Sequence, residues 1–410
     1  MIENIIIYEN DSVEDLYPFN IMHCSWELRT GIYMNYEKII KLFNKSKIKF
    51  IGRDLQLMSF LKRFNIENKN IDDAEKILLI DGSFVLSQNT KTEIEQYCSN
   101  INKNIIFRFK NQIVSYYVCN NINNLILDNK INYDIITENA ETIELKNGYF
   151  INYLWDAIDY IDNGIRNDII IHKHLKRLYL PAYHNINAIE PSEIYIEDNV
   201  KIAPTVCLDA SNGPIFIDEN VKIYPQVTIM GPCYIGKNSE VKIGAKIYSN
   251  NIIGPVSKVA GELQHNIIQS FTNKQHDGFL GDSYVCEWVN LGADTNNSNL
   301  KNNLLNIKIR FPNKTIDTKK MFLGMLCGDH TKTAINTQIN TGTVIGISSI
   351  IFESGFPPTT IKSFDYGGFG NRKYPLESAI ETAKKFMSRR NKELTKEEIK
   401  IFEEEYNKND

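Results

Sequence analysis

Apolar residues recur at every sixth position over a long central stretch of the chain. From Ile217 the series runs Ile217, Ile223, Ile229, Ile235, Val241, Ile247, Ile253 and Val259. A second series keeps the same step through Met321, Cys327, Thr333, Ile339, Ile345 and Ile351. Small or β-branched residues such as Val221, Val227, Ser239, Ala245 and Ser257 stand between them. A period of six suits neither an α-helix nor an alternating strand. It predicts a hexapeptide-repeat parallel β-helix, in which each hexad supplies a short strand and a turn, and three hexads close one triangular coil. No coil buries its apolar face alone, so the array is stable only as a stack.

The pattern before about residue 185 is different. Apolar runs at Ile5–Tyr8, Ile48–Ile51 and Ile77–Ile80 predict buried strands, and 32–44 and Leu55–Phe64 have helical spacing. Ile105–Phe109 and Ile113–Val118 predict two more strands, arranged as a hairpin, and Leu154–Ile171 a helix interrupted near Gly164. Strands and helices in alternation predict an α/β domain with a mostly parallel sheet. Ligands of such sheets lie beyond the carboxyl ends of the strands, which makes the loop Glu9–Arg29 and the turn Asp81-Gly82 the lips of a site. The expected division is an α/β domain over 1–185, a β-helix over 190–358 and a helical C-terminal extension over 359–410. Residues 181–195 read as a linker, and the hexads begin at Ile196, Ile202 and Leu208 before a slip through Asn212-Gly213-Pro214. After Val259 the register falters, with Phe279, Val285 and Leu291 read as the next inward positions and a further break over 294–306. Breaks in a solenoid are excursions, and excursions carry function. Thr395 opens a T-K-E-E capping box, and the tail it belongs to is expected to cover the exposed last coil.

Composition narrows the function classes. A net charge of −4 and a pI near 6.1 exclude a general drive toward nucleic acid or an anionic membrane. The seven cysteines are scattered without any CxxC pair, which favours reduced thiols in a cytoplasmic setting over a disulfide or zinc framework. The first residues carry no basic flank and no long apolar run, so neither a signal peptide nor a membrane span is expected.

The excursion Asn273–Asp282 is the sharpest site candidate, with Asn290 and Asn299 following. His276 sits where the apolar ladder breaks, and imidazole is the side chain that titrates near neutrality, which suits general-base work. Asp277 or Asp282 stands near enough in sequence to orient it. The alternative is that His276 caps a turn and the asparagines take left-handed turn conformations. Asp81, ending a buried strand, is either a carboxylate for Mg²⁺ or a turn residue before Gly82. His330 reads as a structural histidine, and His172 and His174 as favourable charges at a helix end.

The runs GPVSKVAGEL (254–263), NKQHDGFLGDS (273–283), EWVNLGADTNNSNLKNN (287–303), GDHTKTAINTQINTGTVIG (328–346) and FPPTTIKSFDYGG (356–368) resemble the GlmU-like sugar nucleotidyltransferases of Bacteroidetes type. LYPFNIMHCSWELRTGI (16–32) and LWDAIDYIDNGIRND (154–168) are similar to the amino-terminal markers of that family. The resemblance implies a nucleotidyltransferase-like, Rossmann-like α/β domain and a left-handed parallel β-helix, assembled as a homotrimer. It implies synthesis of UDP-N-acetylglucosamine from glucosamine 1-phosphate, acetyl-CoA and UTP with Mg²⁺. The alternatives are an acyl- or nucleotidyltransferase for another sugar phosphate, or a trimeric scaffold with an inactive first domain. His276 matches the acetyltransferase base, Asn290 and Asn299 match residues lining the sugar and acetyl-CoA pocket, and Lys258 and Lys274 fall near the residues that hold the sugar phosphate. The family's tyrosine is Phe279 here. The Gly-rich triphosphate loop of ordinary nucleotidyltransferases is missing after the first strand; Arg29, kept in W-E-L-R-T-G, is the candidate triphosphate contact, with a surface or helix-capping arginine as the alternative, and Asp81 is the candidate metal ligand.

Overall fold

The computed structural model describes the chain except residues 1, 72–73, 100–102, 120–124, 128–129, 138–139, 173, 184 and 409–410. It divides into two compact units. The first comprises Met1–Leu16, Met22–Arg29 and Tyr33–Asp156, and the second Tyr17–Ile21, Thr30–Ile32 and Ala157–Asp410.

The first unit is built on a six-stranded sheet. Its strands are β1 (Asn4–Tyr8), β2 (Lys47–Ile51), β3 (Ile77–Asp81), β4 (Ile105–Phe109), β5 (Gln112–Val118) and β6 (Glu141–Glu144). They lie in the order β2-β1-β3-β5-β4-β6, and only β5 runs antiparallel to its neighbours. The hairpin expected at residues 105–118 is β4–β5, and the mostly parallel α/β sheet is as the pattern predicts. The central strands are apolar throughout because both faces are covered: Ile5, Ile6, Ile7, Leu78, Leu79 and Ile80 are fully buried. Helices α1 (Asn35–Leu42), α2 (Asp54–Phe64) and α3 (Gln88–Cys98) supply cover. Tyr36 and Phe60 interlock edge-to-face at 5.0 Å, and Phe50 meets Phe60 at the same distance.

The segment expected as one helix broken at Gly164 is two, Leu154–Asp159 and Ile161–Ile171, with the break at Tyr160. Gly164 lies inside the second of these. A Cβ there would collide with the Thr30 carbonyl, so its glycine serves a close backbone approach rather than a break.

The second unit is a three-sided parallel β-helix of the hexapeptide type. Its longest face carries nine strands, from Ile194–Ile196 through Ile215–Ile217 and Cys233–Ile235 to Thr360–Ile361. Every pairing between successive coils along the faces is parallel and in register, as in Ile217↔Ile235↔Ile253. The inward residues form one continuous core containing Ile217, Ile223, Ile229, Ile235, Val241, Ile247, Ile253 and Val259, then Cys327, Ile339, Ile345 and Ile351. Each fully buried aliphatic side chain contributes on the order of 1.5–3 kcal/mol. Corner residues adopt left-handed φ in columns. One corner stacks Val256, Phe271, Trp288, His330, Ser348 and Phe364, all with φ between 53° and 62°. In that column Phe271 lies flat on Trp288 at 4.2 Å and Trp288 on His330 at 6.2 Å.

Two expected inward positions are displaced. Met321 is 46% exposed because it precedes the resumed ladder, whose first strand of that face is Met325–Cys327. Phe279 faces outward and its neighbour Leu280 fills the core, because the coil before it is short. The large excursion runs from Ser298 to Gly324 and carries the hairpin Lys308–Arg310/Thr315–Asp317. The tail forms α4 (Leu376–Ser388) and α5 (Lys396–Lys408). The capping box forms as its sequence predicts: Thr395 N–H donates to Glu398 Oε2 at 2.7 Å and Glu398 N–H to Thr395 Oγ1 at 3.2 Å. Phe402 of α5 packs edge-on against Phe364 at 5.7 Å and His330 at 5.4 Å, so the tail covers the side of the stack along that corner.

Candidate functional site

The groove in the second unit follows from arithmetic in the register. Eighteen residues separate Ile217 from Ile235 and Ile235 from Ile253, one full coil each. Only fifteen separate Ile253 from Ile268 and Val259 from Lys274. The lost residues come from the corners. Between strands Lys258–Val259 and Glu262–Gln264 the corner is just Ala260-Gly261, whereas the next coil places Gln275-His276-Asp277-Gly278 there. A short corner under a full one leaves a notch. The resulting groove, of about 490 Å³, is lined by Tyr224, Lys242, Ile243, Ala260, Gln275, His276, Asp277, Ala293 and Asp294. Glycines turn the chain at this corner column: Gly244, Gly261 and Gly278 take φ of 70°, 73° and 115° on successive coils, and a Cβ on Gly261 would sit 2.6 Å from the Gly278 carbonyl oxygen.

His276 is exposed at the rim, as a residue in a ladder-breaking loop should be. Lys242 and Tyr224 stand on the opposite wall, with the Lys242 ammonium 4.8 Å from the Tyr224 ring centroid and paired with Glu240. Lys258 is one residue pair behind, 3.3 Å from the other oxygen of Glu240. The groove therefore offers an imidazole, an ammonium, a phenol and two carboxylates. Lys242 and Tyr224 escaped the sequence reading, though the signal was present. Each follows an inward residue of the ladder, Val241 and Ile223, and the same register puts Gln275 at the same corner.

The other candidates of this unit fall elsewhere. Lys274 is 1% exposed and is the register partner of Val259, so it points into the core of the β-helix. Asn290 pairs between Asn273 and Lys332 on the adjoining face. Asp282 does not orient His276. Its Oδ1 lies 2.8 Å from Nδ1 of His265, and its Oδ2 accepts from Asn299 Nδ2 at 2.6 Å. That trio occupies the next corner, at the far end of the strand Phe279–Gly281. His330 is buried in the aromatic column, in keeping with a structural role.

In the first unit, β1, β2 and β3 end at Glu9, Gly52-Arg53 and Asp81-Gly82, on one edge. Glu9 Oε1 accepts from Ser25 N–H at 2.8 Å and pairs with Arg53 at 3.1 Å, while Arg53 also donates to the His23 carbonyl at 2.8 Å. Arg63 meets buried Glu27 at 2.6 Å. Burial acts to raise the Glu27 pKa, but the Arg63 and His23 charges hold it below the ordinary value. Segment 22–29 lies against the strand ends: a Cβ on Gly52 would sit 2.9 Å from the Trp26 ring, and one on Gly82 2.9 Å from Trp26 N. Arg29 is 3% exposed, beside Met34 in an isolated bridge. Arg53 is the more accessible guanidinium at this edge, its side chain 28% exposed against 13% for Arg63, and its place just after strand β2 was its signal.

Asp81 is buried. One oxygen accepts from Ser83 N–H at 2.8 Å and the other from the Asn10 amide. Burial pushes its pKa up to about 7, the Ser83 and Asn10 hydrogen bonds oppose this, and the Glu9 charge adds to it. Among the described residues no three His, Cys, Asp or Glu gather to hold a metal. A carboxyl so enclosed, with both oxygens already accepting hydrogen bonds, does not fit a resident Mg²⁺, an ion that keeps several waters and joins one or two carboxylates to substrate phosphates.

Comparison with known proteins covers part of the chain. Residues 5–175 match the family model described as sugar nucleotidyl transferase. A bifunctional sugar-1-phosphate nucleotidylyltransferase/acetyltransferase of Sulfurisphaera tokodaii is 31% identical over 117 residues, 28% of each chain. The bifunctional protein GlmU of Methanocaldococcus jannaschii is 28% identical over 100 residues, 24% of this chain and 23% of that one. The match thus spans about a quarter of the length of these relatives. The chain joins a nucleotidyltransferase-like α/β domain to a hexapeptide-type β-helix. All seven cysteines are free, and no described helix is long and apolar enough to cross a membrane.

Proposed function

We propose that the protein acetylates an amino-sugar 1-phosphate in the groove of the β-helix, with acetyl-CoA as donor. The observation that carries this reading is His276 at the rim of a notch cut into the stack, facing Lys242 and Tyr224. The neutral amine of the acceptor attacks the thioester carbonyl carbon. His276 takes the amine proton as the C–N bond forms, the C–S bond breaks, and the proton passes to the departing thiolate. Lys242, with Lys258 behind it, anchors the sugar phosphate as a point charge. Asn290 and Asn299 flank this region on the neighbouring face and corner. A sugar 1-phosphate is the substrate class in one relative's name, and glucosamine 1-phosphate is the acceptor that the resemblance of 273–303 supports. A trimer, in which a second copy completes the groove, belongs to the same reading.

Uridylyl transfer by the first unit, giving UDP-N-acetylglucosamine, is the second half of the proposal. It is supported by the family match over 5–175. The enclosed Asp81 and the Trp26 segment over the strand ends favour the rival reading, a first domain that no longer turns over. No metal-dependent step is assigned to Asp81.

The experiment mixes purified protein with acetyl-CoA, glucosamine 1-phosphate, UTP and Mg²⁺, and follows free thiol and pyrophosphate separately. Thiol release that drops by about two to four orders of magnitude in His276→Ala supports the acetyltransferase. An unchanged rate removes His276 from the mechanism. Thiol without pyrophosphate retires the first unit as an enzyme, and neither product leaves a scaffold.

A further inference from the structure

Lys274 occupies a position that chemistry would give to an aliphatic residue. Its wall of the β-helix carries Val241 and Val259 in the coils before it and Leu291 in the coil after, all in the continuous core. The side chain is 1% exposed. Enclosing an ammonium there costs several kcal/mol unless it is well bonded. Its Nζ donates to two acceptors: the carbonyl oxygens of His276 at 2.7 Å and Asp277 at 3.0 Å. Both belong to the corner that forms the rim of the groove.

We propose that Lys274 is a positioning residue, which from inside the β-helix holds the backbone of His276 and Asp277 and so fixes the imidazole at the rim. The proposal rests on His276 being the base. It replaces a role for Lys274 as a phosphate contact, since a substrate in the groove meets the outer side of the corner. The carboxylates facing the ammonium are Asp277 and Asp294, on adjacent coils of the same corner column, and both favour its charged form. Burial outweighs them and lowers the lysine pKa to about 8. The bond to the corner therefore weakens as pH rises past that value. Gly278, which ends the corner with φ 115°, adds no stiffness of its own.

The test compares the full-length wild type with Lys274→Met, which keeps the length of the side chain and removes the donor. Three quantities are read: kcat and KM for acetyl transfer, thermal unfolding, and backbone hydrogen exchange of a peptide covering 274–280. The expected result is a kcat reduced about 10- to 100-fold with KM for sugar phosphate within about twofold, unfolding retained, and exchange of that peptide raised about tenfold or more. Raised KM with kcat intact would make Lys274 a substrate contact and overturn the proposal. Unchanged exchange would overturn it too, whatever the activity. If the wild type itself transfers no acetyl group, raised exchange in Lys274→Met still supports the hold on the corner, and the base assignment alone fails. Should Lys274→Met not fold, wild-type exchange from pH 7 to 9.5 decides. The 274–280 peptide should gain at least about threefold over the corresponding corner at 292–296, after correction for intrinsic base catalysis, and equal gains would refute the hold.

Discussion

Lys332 offers a prediction whose size can be worked out. It lies on the face covered by α4, with its ammonium 4.4 Å from the ring centroid of Phe386. Nζ donates to the carbonyls of Trp288 at 2.8 Å and His330 at 2.7 Å. Burial lowers its pKa to about 7, against the opposing influence of Cys327 and Asp329. In the unfolded chain a lysine titrates near 10.4. Between these values the unfolded chain binds more protons than the folded one, so stability rises with pH across that window. The cost of holding the charged form is fully present below pH 7 and declines steadily as pH rises from there toward the unfolded value near 10.4. Integrated from pH 7 to pH 10, the difference is about 3 kcal/mol. Lys332→Met removes this titration. Urea unfolding of wild type and variant, followed by far-ultraviolet circular dichroism at pH 7, 8.5 and 10, measures it. The wild type should gain about 3 kcal/mol more than the variant over that range. Parallel stability profiles for the two proteins would refute the reasoning, because they would mean that Lys332 keeps its proton, or loses it equally in both states.

Two further predictions concern packing and charge. Gly261→Ala places a Cβ 2.6 Å from the Gly278 carbonyl in a left-handed conformation; it should lower stability by about 1–3 kcal/mol and raise KM for the acceptor, as thermal unfolding and steady-state kinetics would show. Glu27→Gln leaves Arg63 without its buried partner 2.6 Å away, a loss of about 3–5 kcal/mol in denaturant unfolding at pH 7. Because the folded Glu27 pKa is depressed, the stability that this carboxylate supplies is present above about pH 4.3 and is lost as pH falls through its folded value. The penalty of the variant should therefore shrink in acid, and a penalty that stays constant would contradict the pairing.

Much of the fold was legible in the linear pattern. The hexad ladder identified the β-helix because its inward residues share one environment coil after coil, so burial imposes a fixed period. The α/β alternation announced the mostly parallel sheet for a similar reason, since central strands buried on both faces read as unbroken apolar runs. The register failed at Phe279 and Met321, where coil length changes. A period cannot foretell where it will be broken, only that it has been. The capping box at Thr395 was readable because its partners lie within one turn.

The site divided differently. The sequence by itself determined that His276 would stand outside the ladder, because the residues around it stop matching the inward pattern. What only the tertiary structure decided was the company each group keeps. Asp282 went to His265 rather than His276, Lys274 turned inward beneath the rim, and Lys242 and Tyr224 came to face the imidazole from other coils. Neighbours from other coils lie about one to three coils apart along the chain, and their proximity depends on how many residues each intervening corner holds. Stacking converts a corner two residues shorter than the one above it into a notch, and that conversion exists only once the coils are laid on one another.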